Sequence, residues 1–137
     1  MKLSTRSRYG TRMMVDLAQH YDEGPVSIND IARRQDISPK YLEQLIIPLK
    51  KKKHIKSVRG PKGGHMLARP PEEITVGEIV RTLEGETGLV HCIENPASCN
   101  RVAFCPTYDI WKSATEAMFN KLNGITLFEI VRKDKNP

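Results

Sequence analysis

Cys92, Cys99 and Cys105 are the only thiols in the chain, and all lie within one short stretch, CIENPASCNRVAFC. Thiolates are soft ligands that suit zinc and iron–sulfur clusters, and a thiol can also act as a redox switch. The gaps are six residues and then five, whereas zinc sites usually contain a pair about two to four residues apart. Zinc is therefore the weaker metal reading. A loop of this length can wrap a cluster, and reduced thiols used only for packing are the plain alternative. Asn95, Pro96, Ser98 and Asn100 fill the stretch with turn formers, so neither regular helix nor strand is expected there. An odd cysteine count in a chain that does not open on a long apolar secretory segment argues against a disulfide framework and places the protein in the cytoplasm.

A second chemistry is written in charge. The net charge of +6 is uneven: residues 1–69 carry 15 Lys and Arg against 6 Asp and Glu, a net of +9, and residues 70–137 carry 7 against 10, a net of −3. A basic half joined to a mildly acidic one points to a polyanion-binding module coupled to a different function. No apolar run is long enough to span a membrane, and the cations form no single amphipathic stripe, so a membrane surface is disfavoured.

The elements that must position these groups are mostly helical. Ser4 or Thr5 can cap a first helix with Tyr9, Met13, Leu17 and Tyr21 on one apolar face. Ser27, followed three positions later by Asp30, starts a short second helix that buries Ile28, Ile31 and Ala32. Ser38-Pro39 starts a third over about 39–53, with Leu42, Leu45, Ile46 and Leu49 inward and Lys40, Tyr41, Glu43, Gln44 and Ile47 outward. Pro48 should loosen its last turn. Two strands, 55–59 and 65–68, flank GlyProLysGlyGly at 60–64. Together these describe a helix-turn-helix followed by a basic wing.

In such a module the start of the recognition helix enters the major groove, and the wing reaches backbone or minor groove. Ser38, Lys40, Tyr41, Glu43 and Gln44 are the expected groove residues, with Arg59, Gly60, Lys62 and Gly63 in the wing and Thr5 and Arg8 on phosphate. His65 can also touch phosphate, while the lysine run at 50–53 is phosphate background.

After Pro70-Pro71 the character changes, dividing the chain into a DNA-binding part, 1–70, and a part, 71–137, with a sensor loop at 91–106. Thr75 and Glu78 form a capping box with Ile74 and Ile79 as its staple, and Gly85 ends that helix. From Pro106 a longer helix runs to about Asn123-Gly124, with Trp111, Ala114, Met118 and Leu122 on one stripe. Thr126 and Glu129 start a last short helix, and 132–137 reads as a charged, frayed tail. The fold class is mainly α: a winged helix-turn-helix with a two-stranded wing plus a long C-terminal helix. No phosphate-cradling glycine loop, catalytic triad or C-x-x-C pair is present, so nothing points to an enzyme.

STRSRYG near the start, TyrLeuGluGlnLeu at 41–45, ArgGlyProLysGlyGly at 59–64 and ThrValGlyGluIle at 75–79 together resemble the Rrf-type bacterial winged-helix transcription regulators, over roughly residues 1–130. The resemblance implies a homodimer that binds partly palindromic double-stranded promoter DNA, paired through the helix at about 106–123. It also implies an iron–sulfur cluster on Cys92, Cys99 and Cys105, with a 2Fe–2S cluster favoured over 4Fe–4S. Cluster-binding relatives take a fourth ligand from a histidine three residues after the third cysteine, where Tyr108 stands here, or from an acidic residue of the partner subunit at the position of Arg8. Neither is available. His91, Glu94, Asp109, another residue of the second subunit or a small exogenous ligand remain. The alternative is a cluster-free regulator of sulfur or cysteine metabolism that works through a protein partner or a thiol switch.

Overall fold

Serine and threonine caps set five of the α-helix starts in the computed structural model, which describes residues 2–85 and 88–134. The Ser4 Oγ accepts from the Ser7 N–H at 3.4 Å and opens α1 (Thr5–Gln19), which buries Met13, Met14 and Leu17. Ser27 accepts from the Asp30 N–H at 3.2 Å and opens α2 (Ile28–Gln35). Asp36 then takes a left-handed conformation, φ 55°, and turns the chain within two residues into α3 (Pro39–Lys51). There Ser38 accepts from the Tyr41 N–H at 3.1 Å and Pro39 occupies the first position. The helix continues through Pro48, which lies in its last turn and deprives only the Gln44 carbonyl of its usual donor. It ends at Lys51, short of the expected residue 53, where Lys53 has turned to φ 62°.

The wing is an antiparallel pair, β1 (Ile55–Val58) and β2 (Gly64–Leu67), with Ile55 opposite Leu67 and Val58 opposite Gly64. Its inner edge is held by a feature absent from the sequence reading. Val26, just ahead of α2, exchanges both backbone hydrogen bonds with His65, at 2.9 and 2.8 Å.

The capping box at Thr75 is complete, with Thr75 Oγ1 accepting from the Glu78 N–H at 3.2 Å and the Glu78 carboxylate accepting from the Thr75 N–H at 2.9 Å. It opens α4 (Val76–Glu84), which buries Ile79, Val80 and Leu83 and stops at Gly85, φ 81°. Next come α5 (His91–Glu94), a 3₁₀ turn at Pro96–Ser98, and α6 (Tyr108–Asn123). The last helix, α7 (Leu127–Asp134), starts where Thr126 Oγ1 accepts from the Glu129 N–H at 3.2 Å. Residues 132–134, expected to fray, belong to α7; 135–137 lie outside the described residues.

One buried cluster joins Met13, Leu17, Ile31, Leu42, Leu45, Leu49, Ile55 and Leu67 to Ile74, Ile79, Leu83 and Leu127. Residues on both sides of Pro70-Pro71 thus share a core. Helices α1 and α4 pack together at Gly10, where any Cβ would overlap the Leu83 side chain. On α6, Thr115 and Phe119 turn toward this chain's own interior, while Ile110 and Trp111 are 56% and 40% exposed. The expected stripe of Trp111, Ala114, Met118 and Leu122 is therefore largely unburied within one chain. The architecture is a mainly helical winged helix with one two-stranded sheet.

Candidate functional site

The start of α3 presents Ser38, Lys40, Glu43 and Gln44 to solvent, with Ile47 beyond them 68% exposed. Tyr41 departs from expectation. It is half-buried, with its ring edge-on to Tyr9 at a centroid distance of 5.9 Å. The guanidinium groups of Arg8 and Arg12 lie 5.8 and 5.4 Å from the centre of the Tyr9 ring, an attractive arrangement for a cation and a π face. The tyrosine pair therefore fixes the start of α3 against α1 at the place where α1 exposes Thr5 and Arg8. Arg12 shares that edge of α1 and donates to the side chain and backbone carbonyls of Gln35. Sequence reasoning missed it, although positions 5, 8 and 12 share one helical face.

At the wing tip Arg59, Gly60 and Lys62 are exposed, and the Gly63 N–H donates to the Gly60 carbonyl at 2.9 Å. Gly60 adopts φ 109°, and a Cβ at Gly63 would overlap the Val58 carbonyl, so the motif's glycines set the turn. His65, expected near phosphate, instead places Nδ1 2.8 Å from Ser57 Oγ across the ladder. Its burial, helped by Lys50, holds its pKa below the usual histidine range.

Two polar clusters tie α4 to this surface, and neither was visible in the sequence. Below the wing, the Arg69 guanidinium donates to His54 Nδ1 at 3.2 Å and to Glu78 Oε1 at 3.3 Å. Nδ1 is then an acceptor, so Nε2 carries the proton and donates to Thr82 Oγ1 at 3.1 Å. Thr82 in turn donates to the Glu78 carbonyl at 2.8 Å. His54 is 6% exposed, and burial holds its pKa low, which keeps it neutral. At the other end, one oxygen of Glu84 accepts from the Ser4 N–H at 2.9 Å, from Ser7 Oγ at 2.5 Å and from Ser4 Oγ.

The three cysteines are free and half-buried: Cys92 within α5, Cys99 after the 3₁₀ turn and Cys105 ahead of α6. The stretch is more ordered than its turn formers suggest. The Asn95 N–H closes a helical turn on the His91 carbonyl at 2.8 Å, and Ser98 Oγ donates to the Asn95 carbonyl at 2.7 Å. Cys105 Sγ lies 3.3 Å from Thr107 Oγ1, and hydrogen bonds from Thr107 hold its thiol below the usual cysteine range. In kind these donors fit an iron–sulfur cluster, as three of its usual four ligands. In arrangement they do not yet enclose one, since among the described residues no three His, Cys, Asp or Glu side chains are gathered around a point. Of the fourth-ligand candidates, His91 is exposed with Nδ1 3.9 Å from Glu94, Glu94 accepts from the Gly88 N–H at 3.3 Å, and Asp109 is exposed.

Among the described residues no helix is long and apolar enough to cross a membrane. A profile of the family described as "Rrf2: Iron-dependent Transcriptional regulator" matches residues 3–133. The chain is 52% identical over 132 residues to protein rrf2 of Nitratidesulfovibrio vulgaris, covering 96% of this chain and 88% of that one. Among solved structures it is similar to T. potens IscR, with a TM-score of 0.80, 41% identity, and 98% of this chain and 88% of that one covered. It is also similar to CymR, described as the global cysteine regulator of B. subtilis, with a TM-score of 0.78, 36% identity, and 97% and 98% of the two chains covered.

Proposed function

The chain belongs to the Rrf2 family of transcriptional regulators, and from that premise we propose that it reads promoter DNA as a homodimer whose binding follows the state of its three cysteines. Ser38, Lys40, Tyr41, Glu43 and Gln44 at the start of α3 enter the major groove. There Gln44 can pair with adenine, Glu43 can accept from cytosine, and Lys40 can donate to guanine or phosphate. Arg59, Gly60, Lys62 and Gly63 bring the wing to backbone and minor groove, and Thr5 and Arg8 meet phosphate. The division of labour is 1–70 for DNA and 71–137 for sensing and pairing, with the exposed Ile110 and Trp111 of α6 facing the second subunit.

Cys92, Cys99 and Cys105 are the residues that would hold an iron–sulfur cluster, 2Fe–2S in preference to 4Fe–4S. When bound, such a cluster supplies a centre sensitive to electrons, iron supply, oxidants or nitric oxide. The observation that carries this reading is the joint one: three free thiols in a single segment that leads from α4 directly into α6, in a family described as iron-dependent. The segment has to close to bring the thiols together.

A second reading is favoured by the ungathered thiols and by the depressed pKa of Cys105. In it the chain is a cluster-free regulator whose cysteines form a thiol switch or answer to a protein partner. Anaerobic reconstitution with ferrous iron and sulfide separates the two. Under the first reading the protein takes up iron and sulfide and becomes coloured, each of Cys92→Ala, Cys99→Ala and Cys105→Ala bleaches it, and promoter retardation differs between loaded and cluster-free protein. Colourless, iron-free protein after reconstitution would remove the cluster and leave the switch. The family model and the B. subtilis CymR are described as regulators, so no catalytic turnover is assigned.

A further inference from the structure

We propose that the last turn of α4 is the joint through which the cysteine segment sets both DNA-contacting arms, with Glu84 positioning the start of α1 and Thr82, through His54, positioning the base of the wing. The inference rests on the reading that promoter binding follows the state of the cysteines, and it assigns the route.

The geometry of α4 supports this. Its hydrogen bonds to the DNA-contacting parts issue from its two sides within one turn. Glu84 gathers three donors from Ser4 and Ser7 at the start of α1, just ahead of Arg8 and including the residue that caps that helix. Thr82 receives the His54 Nε2 proton, and His54 directly precedes β1 while its own carbonyl accepts from the Ala68 N–H, just past β2, at 2.9 Å. Arg69 closes the same cluster by donating to both His54 and Glu78.

On its far side the turn meets the sensing half. Arg81 lies over the Phe119 ring of α6 at 3.9 Å. Glu84 borders a cavity of about 160 Å³, which Gly88 ahead of the cysteine segment, Glu94 within it and Phe119 of α6 close from the other side. That space leaves the end of α4 held by hydrogen bonds rather than by close packing against the cysteine segment. Hydrogen bonds are short-ranged: a shift of roughly 1 Å takes a bond near 2.9 Å out of bonding distance. A displacement of Gly88–Glu94 on closure around the thiols that reaches the end of α4 is therefore registered at Glu84 and Thr82.

The test compares hydrogen exchange of segments 2–12 and 54–69 in anaerobically reconstituted and cluster-free protein, alongside promoter affinity in both states. Glu84→Ala should take up the cluster with an unchanged spectrum, lose the state-dependent difference in 2–12 and keep that in 54–69. Thr82→Val should do the reverse, and Glu84→Gln and Thr82→Ser, which keep the acceptor or the hydroxyl, should restore most of each response. Coupling between sites is typically about 5- to 150-fold in affinity, and each uncoupled variant should lower the loaded-to-free affinity ratio by at least about threefold. Ratios and exchange differences like those of the wild type in both Glu84→Ala and Thr82→Val would overturn the inference. If the wild-type protein itself shows no state-dependent affinity, the proposed function fails instead. The joint is then judged on cluster-free protein alone, where Glu84→Ala must quicken exchange in 2–12 only and Thr82→Val in 54–69 only; loss of that separation rejects it.

Discussion

Asp16 is fully buried between α1 and α2, and its stability rests on three side chains. The Arg34 guanidinium grips both oxygens, at 3.0 and 2.7 Å, and Gln35 donates at 3.0 Å. Burial alone would raise its pKa; the hydrogen bonds of Arg34 and Gln35 and the charges of Arg34 and His20 outweigh that and hold it below the usual carboxylate range. A group depressed in the folded state stabilises fully above its unfolded pKa, and that contribution is lost as pH falls through the folded value. Melting temperature should therefore stay level down to about pH 4 and fall below it, with Glu78 and Glu84, also depressed, adding to the slope. Removing one partner of a buried pair costs about 3 kcal/mol at the lower end of the usual range, which suits an Arg34 left able to reach water. Asp16→Asn should lose stability of that order at pH 7 and show a shallower acid limb. Thermal melts across the acid range with the wild-type shape and midpoint in this variant would refute the assignment.

At the scale of elements, the wing depends on one glycine more than on its strand residues. Gly64 sits at φ 155°, and a Cβ there would overlap the Val26 carbonyl. That carbonyl cannot yield, because Val26 is bonded in both directions to His65. Gly64→Ala should cost about 1–3 kcal/mol, as forced backbone outliers do, and should weaken promoter retardation by displacing the wing while α3 remains folded. Urea titration together with retardation measures both; an unaffected promoter affinity would mean the wing does not contribute. The sequence made this element legible in part: GlyProLysGlyGly marked the turn, but the Val26 bridge that constrains it comes from residues far away along the chain. The same division runs through the molecule. Ser38-Pro39 and Thr75–Glu78 announced their helices to the residue because a cap is a local hydrogen bond. Periodicity named Leu42, Leu45, Ile46 and Leu49 as inward, yet it could not say that Tyr41 would fold back on Tyr9. Glu84 and Ser4 are 80 positions apart, so no local pattern carried their pairing. The cysteine segment was expected to be irregular from its turn formers, but Asn95 instead ends one short helical turn and Pro96 starts the next.

For the whole molecule, the net +9 of residues 1–69 against −3 of residues 70–137 is the charge asymmetry on which the proposed promoter binding rests. Ile110 and Trp111 stand exposed on α6 in the second of these halves, which makes two-headed binding a matter of charge bookkeeping as well as symmetry. Each neutralised phosphate contributes about −0.9 to the slope of log affinity against log salt on duplex DNA. A dimer that seats two winged helices on a partly palindromic site therefore has about twice the slope of a single head, with the same contacts per head. Ile110→Glu combined with Trp111→Glu places charge on the exposed face of α6 and changes none of the proposed DNA-contacting residues. Sedimentation should show the variant as a monomer, and its retardation on the same promoter fragment should show about half the wild-type salt slope. A monomeric variant that keeps the full slope would mean that one chain alone covers the site, and a wild-type slope near zero would mean that the basic half does not meet phosphate at all.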